Sequence, residues 1–177
     1  MNIDISSLSR GPRDFDYTLD PGWWGREEEG GQILGLSGPL NVHIRISRAG
    51  TKYLVDGRLK GRLVIRCDRC LEPYQRDLDS EFSFFLKVAQ SLSGQKEIEL
   101  LEDDKSVEFV VGSEIRLDDI AREQIYLSLP MKCLCSEDCS GLCPVCGANL
   151  NLGECECLSD KGHPGFLKLK KVKFQGE

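Results

Sequence analysis

The sequence predicts an α+β fold: an antiparallel, strongly twisted sheet or partial barrel, one packed amphipathic helix, and an irregular C-terminal metal-binding lobe. Three observations carry this. Apolar residues recur with period two from about residue 40 to residue 111, the period becomes helical near residue 117, and six of the nine cysteines lie between Cys135 and Cys157. Residues 1–130 are read as a mainly β domain with its helix near the end, and residues 131–177 as a cysteine-rich lobe with a basic tail.

The first 40 residues show a short alternating start at Ile3 and Ile5 and a Gly-rich acidic stretch, Gly25 to Gly31. Trp23 and Trp24 follow Pro21-Gly22 and read as a core plug or lid rather than a base-stacking platform. From Asn41, Val42, Ile44 and Ile46 alternate with His43, Arg45 and Ser47, the pattern of a half-buried strand with His43 on its polar side. In the next strand Leu59, Leu63, Ile65 and Cys67 share one parity, and Arg58, Lys60, Arg62 and Arg66 share the other.

Strand side chains at i, i+2 and i+4 line one face, so these cations project together. Two readings stand. The row is a solvated face answered by Glu72, Asp77, Asp79 and Glu81, or it is a phosphate-contacting ridge that Arg69 extends. Phe82, Phe84 and Leu86 then share one parity with Phe85 opposite, which predicts a strand covered on both faces near its end. An acidic loop, Ile98 to Lys105, precedes a strand at Val107 to Val111. Leu117, Ile120, Ala121 and Ile125 form a helical stripe, Asp118 and Asp119 sit where the macrodipole favours them, and Pro130 follows, so a helix is predicted over 117–128.

The cysteines carry the chemistry. Cys143-Pro-Val-Cys146-Gly147 is a metal knuckle: two sulfurs three positions apart reach one ion, Pro144 restrains the turn, and Gly147 accepts a positive φ. The candidate ligands are Cys135, Cys139, Cys143, Cys146, Cys155 and Cys157, and Zn²⁺ is the expected ion. Cys135 with Cys139, or Cys155 with Cys157, completes a tetrahedron on Cys143 and Cys146, and six thiolates sharing two ions is a further arrangement. Cys67-Asp-Arg-Cys70 is half of a site, which Cys133 and Cys135 would complete; two reduced thiols packed at a bend is the preferred reading. His163 is an outlying candidate.

Composition narrows the classes. At 40% hydrophobic and 29% charged the chain reads as globular. It shows neither a secretory signal nor an apolar run of the ~20 residues that cross a bilayer, so a cytoplasmic protein with no membrane partner is expected. Clustered thiols in a reducing compartment read as metal ligands rather than disulfides. The net charge of −6 hides a basic stretch, nine Arg and Lys against three acids over residues 45–76, and a basic tail after Lys161. No Ser/His/Asp constellation or glycine-rich phosphate loop appears, and an all-sulfur ligand set suits a closed site, so no enzyme and no small-molecule substrate are expected.

These residues also resemble the YceD family of large-subunit ribosomal RNA accumulation proteins. The likeness rests on Arg66-Cys-Asp-Arg-Cys-Leu-Glu-Pro73, on Leu127-Ser-Leu-Pro130, and on the block from Leu134 to Asn151 followed by Cys155-Glu-Cys157. It implies a noncatalytic ribosome-biogenesis factor that supports accumulation of 23S ribosomal RNA by binding that RNA, a ribosomal protein or an assembly factor. The RNA-contact candidates are Arg58, Lys60, Arg62, Arg66 and Arg69. The alternatives are a redox-sensitive thiol/zinc regulator and a metal-dependent enzyme acting on RNA.

Overall fold

Residues 1–25, 31–89, 107–112 and 114–157 are described by a computed structural model of the chain. Along them come β1 (Asn2–Asp4), β2 (Arg13–Leu19), β3 (Ile33–Leu36), β4 (Leu40–Ala49), β5 (Lys52–Arg66), β6 (Pro73–Ala89), β7 (Val107–Val111), β8 (Glu114–Arg116) and α1 (Leu117–Leu127). The acidic loop Ile98–Lys105, the basic tail and His163 lie outside the described residues.

The long hairpin β5–β6 is the frame, with an unbroken antiparallel register from Tyr53↔Leu86 to Arg66↔Pro73. The other edge of β5 is shared. β4 pairs its first part, from Ala49↔Lys52 to Asn41↔Lys60, and β3 pairs its far part at Leu63 to Ile65. The main sheet runs β2-β4-β5-β6-β7, while β1 and β8 pair separately.

Two glycines make the close approaches possible. A Cβ on Gly57 would lie 2.2 Å from Cζ of Phe82, whose ring occupies that space. A Cβ on Gly61 would meet Leu40 Cδ1 at 2.9 Å and the Pro39 carbonyl oxygen at 3.2 Å, where the chain passes from β3 to β4.

The expected antiparallel sheet or partial barrel needs correction. The sheet is open, with β2 and β7 as its edges, and β7 runs parallel to β6 from Phe85↔Val107 to Ala89↔Val111. A parallel neighbour needs a crossover of a dozen or more residues, and residues 90–106 have that length. Among the described residues β2 and β7 do not pair with each other, so the sheet does not close into a barrel.

One sheet face is apolar, as the alternation predicts: Leu59, Leu63, Ile65 and Cys67 are all fully buried. Helix α1 covers it with Leu117, Ile120, Ala121 and Ile125. Eleven residues are too few to hold a helix in water. Burial of its large apolar side chains, ~1.5–3 kcal/mol each, supplies what propensity does not. At its start Asp118 accepts a hydrogen bond from the Met1 amine at 2.5 Å.

Trp24 is only 2% exposed, lies against Tyr126, and shares with Trp23 the Arg122 guanidinium, 5.0 Å from each ring. The tryptophan pair is a core plug. Phe85, expected to be covered, is 38% exposed on the other face. Among the described residues no helix is long and apolar enough to cross a membrane.

Candidate metal centres

The turn from β5 into β6 is Cys67-Asp-Arg-Cys70-Leu-Glu72. Its Cys67 N–H donates to the Glu72 carbonyl at 2.9 Å, and its Leu71 N–H donates to the Cys67 carbonyl at 2.9 Å. The Arg69 N–H points at Cys67 Sγ at 3.5 Å, and Leu71 has φ +62°. The same features recur at Cys143-Pro-Val-Cys146-Gly-Ala148. Cys143 N–H donates to the Ala148 carbonyl at 2.8 Å, Gly147 N–H to the Cys143 carbonyl at 2.9 Å, and Val145 N–H to Cys143 Sγ at 3.4 Å. Gly147 has φ +73°. The chain builds one knuckle twice.

Each knuckle meets a second cysteine pair. The sulfurs of Cys67, Cys70, Cys135 and Cys139 lie within 4.8 Å of one another, as do those of Cys143, Cys146, Cys155 and Cys157. Either group could hold a metal ion. In the first, Cys67 and Cys139 are 3.8 Å apart and Cys70 and Cys135 are 3.7 Å apart. A tetrahedral ion with metal–sulfur bonds of about 2.3 Å has sulfur–sulfur edges of about 3.8 Å, so the spacing fits one ion.

Neighbouring groups hold the first set in place. Cys135 N–H points at Cys67 Sγ, and the Asn151 side-chain amide at Cys139 Sγ, both at 3.4 Å. Arg69 Nη1 donates to the Cys139 carbonyl at 3.0 Å and to the Glu137 carbonyl at 3.4 Å, clamping the ligand loop onto the hairpin. Asp68 accepts from Cys133 N–H at 2.6 Å and from the Gln32 amide at 3.1 Å. Such outer contacts set the direction of the ligating sulfurs. Cys67, Cys70 and Cys139 are buried, whereas in the second set only Cys143 is.

The thiols do not titrate alike. Burial opposes ionisation of Cys67, but the N–H groups of Cys70, Cys135 and Arg69 outweigh it and bring the thiol down to about 6. The N–H groups of Cys146 and Val145, and then the Cys155 thiol, bring Cys143 to about 6 as well. Cys70, although the Glu72 N–H favours its thiolate, is pushed up to about 12 by burial and the surrounding thiols. Cys157 is pushed up to about 12 by its hydrogen bond to Cys146 and by burial. One thiolate in a crowded set disfavours the next.

The six C-terminal cysteines are therefore divided two and four. Cys135 and Cys139 face Cys67 and Cys70 across the sheet's end, a pairing the preferred bend reading of Cys67 and Cys70 passed over. Cys133 stands outside both groups, buried, with its sulfur 3.8 Å from the Pro130 carbonyl oxygen.

The basic row is answered by acids. Arg58 binds both Asp79 oxygens, at 2.9 and 2.8 Å, and lies 3.3 Å from Glu81. Arg62 binds Asp77 at 2.7 Å, and Lys60 stands opposite Asp79. The Arg58 hydrogen bond holds the Asp79 carboxyl below the usual range. Arg66 stands opposite Pro73 at the strand end. On this solvent face Arg45, Arg58, Lys60, Arg62 and Arg66 are interleaved with Asp14, Asp16, Asp56, Asp77, Asp79 and Glu81. His43, also here, meets Asp16 at 2.7 Å.

Fold and site together define a β-rich protein with paired four-cysteine knuckles, one of them built into the central hairpin. The family model described as "Large ribosomal RNA subunit accumulation protein YceD" matches residues 55–173, and the chain belongs to the YceD family. A chloroplastic YCED homolog 1 of Zea mays, named a large ribosomal RNA subunit accumulation protein, is 25% identical over 76% of this chain and 53% of its own length. Its Arabidopsis thaliana counterpart is 24% identical over 77% of this chain and 49% of its own length. An uncharacterised protein of Mycobacterium tuberculosis is 27% identical over 85% of this chain and 70% of its own length. The chain spans about half the length of the plant relatives it matches. No solved structure matches it at a significant level.

Proposed function

We propose that this protein is a noncatalytic factor supporting accumulation of large-subunit (23S) ribosomal RNA, and that it acts by contacting that RNA. The observation that supports this reading is the family match, which runs from β5 through both cysteine groups. The plant relatives bear large ribosomal RNA subunit accumulation in their names.

In this reading each four-cysteine group holds Zn²⁺ as a closed structural site. Catalytic zinc keeps a position open for water and commonly takes histidine or carboxylate. Here four sulfurs converge in each group. The ion then acts as a cross-link, tying residues 135–139 to the β5–β6 turn and closing the second knuckle on Cys155 and Cys157.

The test is depletion of the protein from its host, with large- and small-subunit ribosomal RNA quantified together and the protein then restored. The large-subunit RNA is expected to fall relative to the small and to recover. An unchanged ratio overturns the proposal. Crosslinking that returns a ribosomal protein or assembly factor without RNA would make the effect indirect.

A further inference from the structure

The solvent face of the sheet is charged over most of its length, but its character changes at one end. In register, Ser47 of β4 faces Leu54 of β5, Leu54 faces Phe85 of β6, and Phe85 faces Val107 of β7. Two positions further on, Lys87 faces Phe109. Phe85 is 38% exposed and Phe109 is 39% exposed, and Lys87 Nζ lies 5.8 Å from the centre of the Phe109 ring.

Crowding does not force this arrangement. Phe82 and Phe84 of the same strand turn to the opposite face and stack on each other, partly buried against the core. Apolar rings left in solvent beside an edge strand are a liability unless something uses them. Strand spacing and residue rise place Phe85 and Phe109 roughly 8 Å apart along the diagonal.

We infer that Phe85 and Phe109 are a stacking platform for the bases of single-stranded RNA, with Lys87 and Lys52 contacting its phosphates. Every base has a π-face, so aromatic rings beside cations on an open surface capture an unpaired strand without reading its sequence. An apolar peptide would instead need a groove with pockets for its side chains. Lys52, opposite Ala49, brings a further cation to this end of the face. The inference rests on the RNA-contact reading and gives it a location.

The test is fluorescence anisotropy of a short labelled oligouridine with the full-length, zinc-loaded protein at low salt. Phe85→Ala with Phe109→Ala is expected to weaken binding at least ~10-fold at a temperature where circular dichroism shows the variant still folded. Tryptophan at both positions is expected to retain binding, and leucine at both to lose it, which separates stacking from apolar contact. Equal binding by the parent and the double alanine variant overturns the platform while leaving RNA contact intact. No binding by the parent overturns direct contact as well, and the depletion assay then decides the accumulation role separately. Capture of a ribosomal protein that survives leucine at both positions also overturns the platform.

Discussion

Leu71 holds in the first knuckle the place that Gly147 holds in the second. Each follows the second cysteine of its pair and donates its N–H to the carbonyl of the first, with φ +62° and +73° respectively. Among the described residues, Leu71 is the one non-glycine with a positive φ. Its side chain is 55% exposed, so packing does little to offset the backbone cost. The cost is about 1–2 kcal/mol for an L residue in this region, whereas glycine loses about 0.5–1 kcal/mol through the freer unfolded chain. Leu71→Gly is therefore expected to stabilise the zinc-loaded protein by roughly 0.5–1 kcal/mol, read as a rise in the urea midpoint. A lower midpoint would show that contacts of the leucine side chain outweigh the strain.

Native mass spectrometry is expected to find two zinc ions per chain. Cys67→Ser with Cys70→Ser should remove one, Cys143→Ser with Cys146→Ser the other, and Cys133→Ser neither. Full metal retention by the Cys67/Cys70 variant would return the ion to the six cysteines near the C-terminus alone. Chelation should open residues 133–157 to hydrogen exchange while the β5–β6 ladder stays protected, because that ladder is held by its own unbroken pairing from Tyr53↔Leu86 to Arg66↔Pro73 and by the core face beneath it. Global loss of circular dichroism would contradict this separation.

Much of the architecture was legible because burial imposes a period. Val42, Ile44 and Ile46 in β4, the parity of β5, and the stripe of α1 all report which side faces the core. Strand direction leaves no such trace: Val107–Val111 reads the same whether it lies parallel or antiparallel to β6. The first four-cysteine group was hidden by distance and by one residue. Cys70 and Cys135 are 65 positions apart, and Leu71 stands where glycine would have announced the turn. Arithmetic offered a signal nonetheless, since six cysteines leave one four-cysteine set two sulfurs short, and Cys67 and Cys70 supply them. The basic row was legible as a row, but the acids that answer it depend on the β5–β6 register.

Zinc uptake is expected to release protons. At pH 7 the metal-free protein presents Cys67 and Cys143, both at about 6, as thiolates, while Cys70 and Cys157, both at about 12, keep their protons. Binding needs all of them deprotonated. The two depressed thiols contribute stability that is fully present above the ordinary thiol pKa, about 8.5, and is lost as pH falls through about 6. The two raised thiols act the other way, contributing below the ordinary value and losing that contribution as pH rises towards about 12. Calorimetric zinc titration in buffers of different ionisation enthalpy should count more than one proton per ion at pH 7, with affinity rising from pH 6 to 9. Proton-neutral binding, or tighter binding in acid, would refute this.

Gly57 and Phe82 stand opposite each other in β5 and β6, and the ring occupies the space a side chain at 57 would need. An added Cβ would lie 2.2 Å from Cζ and 2.7 Å from Cε2, and the ring is stacked on Phe84 with centroids 6.1 Å apart, so it cannot yield without disturbing a second ring. Alanine normally gains about 0.5–1 kcal/mol over glycine in a strand, but overpacking costs about 1–3 kcal/mol, and here the steric cost is the larger. Gly57→Ala is therefore expected to destabilise the protein in urea. With Phe82→Ala already present, the same change should be neutral or stabilising, because the obstacle is gone and the ordinary strand preference remains. An equal cost of Gly57→Ala in both backgrounds would show that the glycine is needed for backbone conformation rather than for the ring, and the double-mutant cycle separates the two.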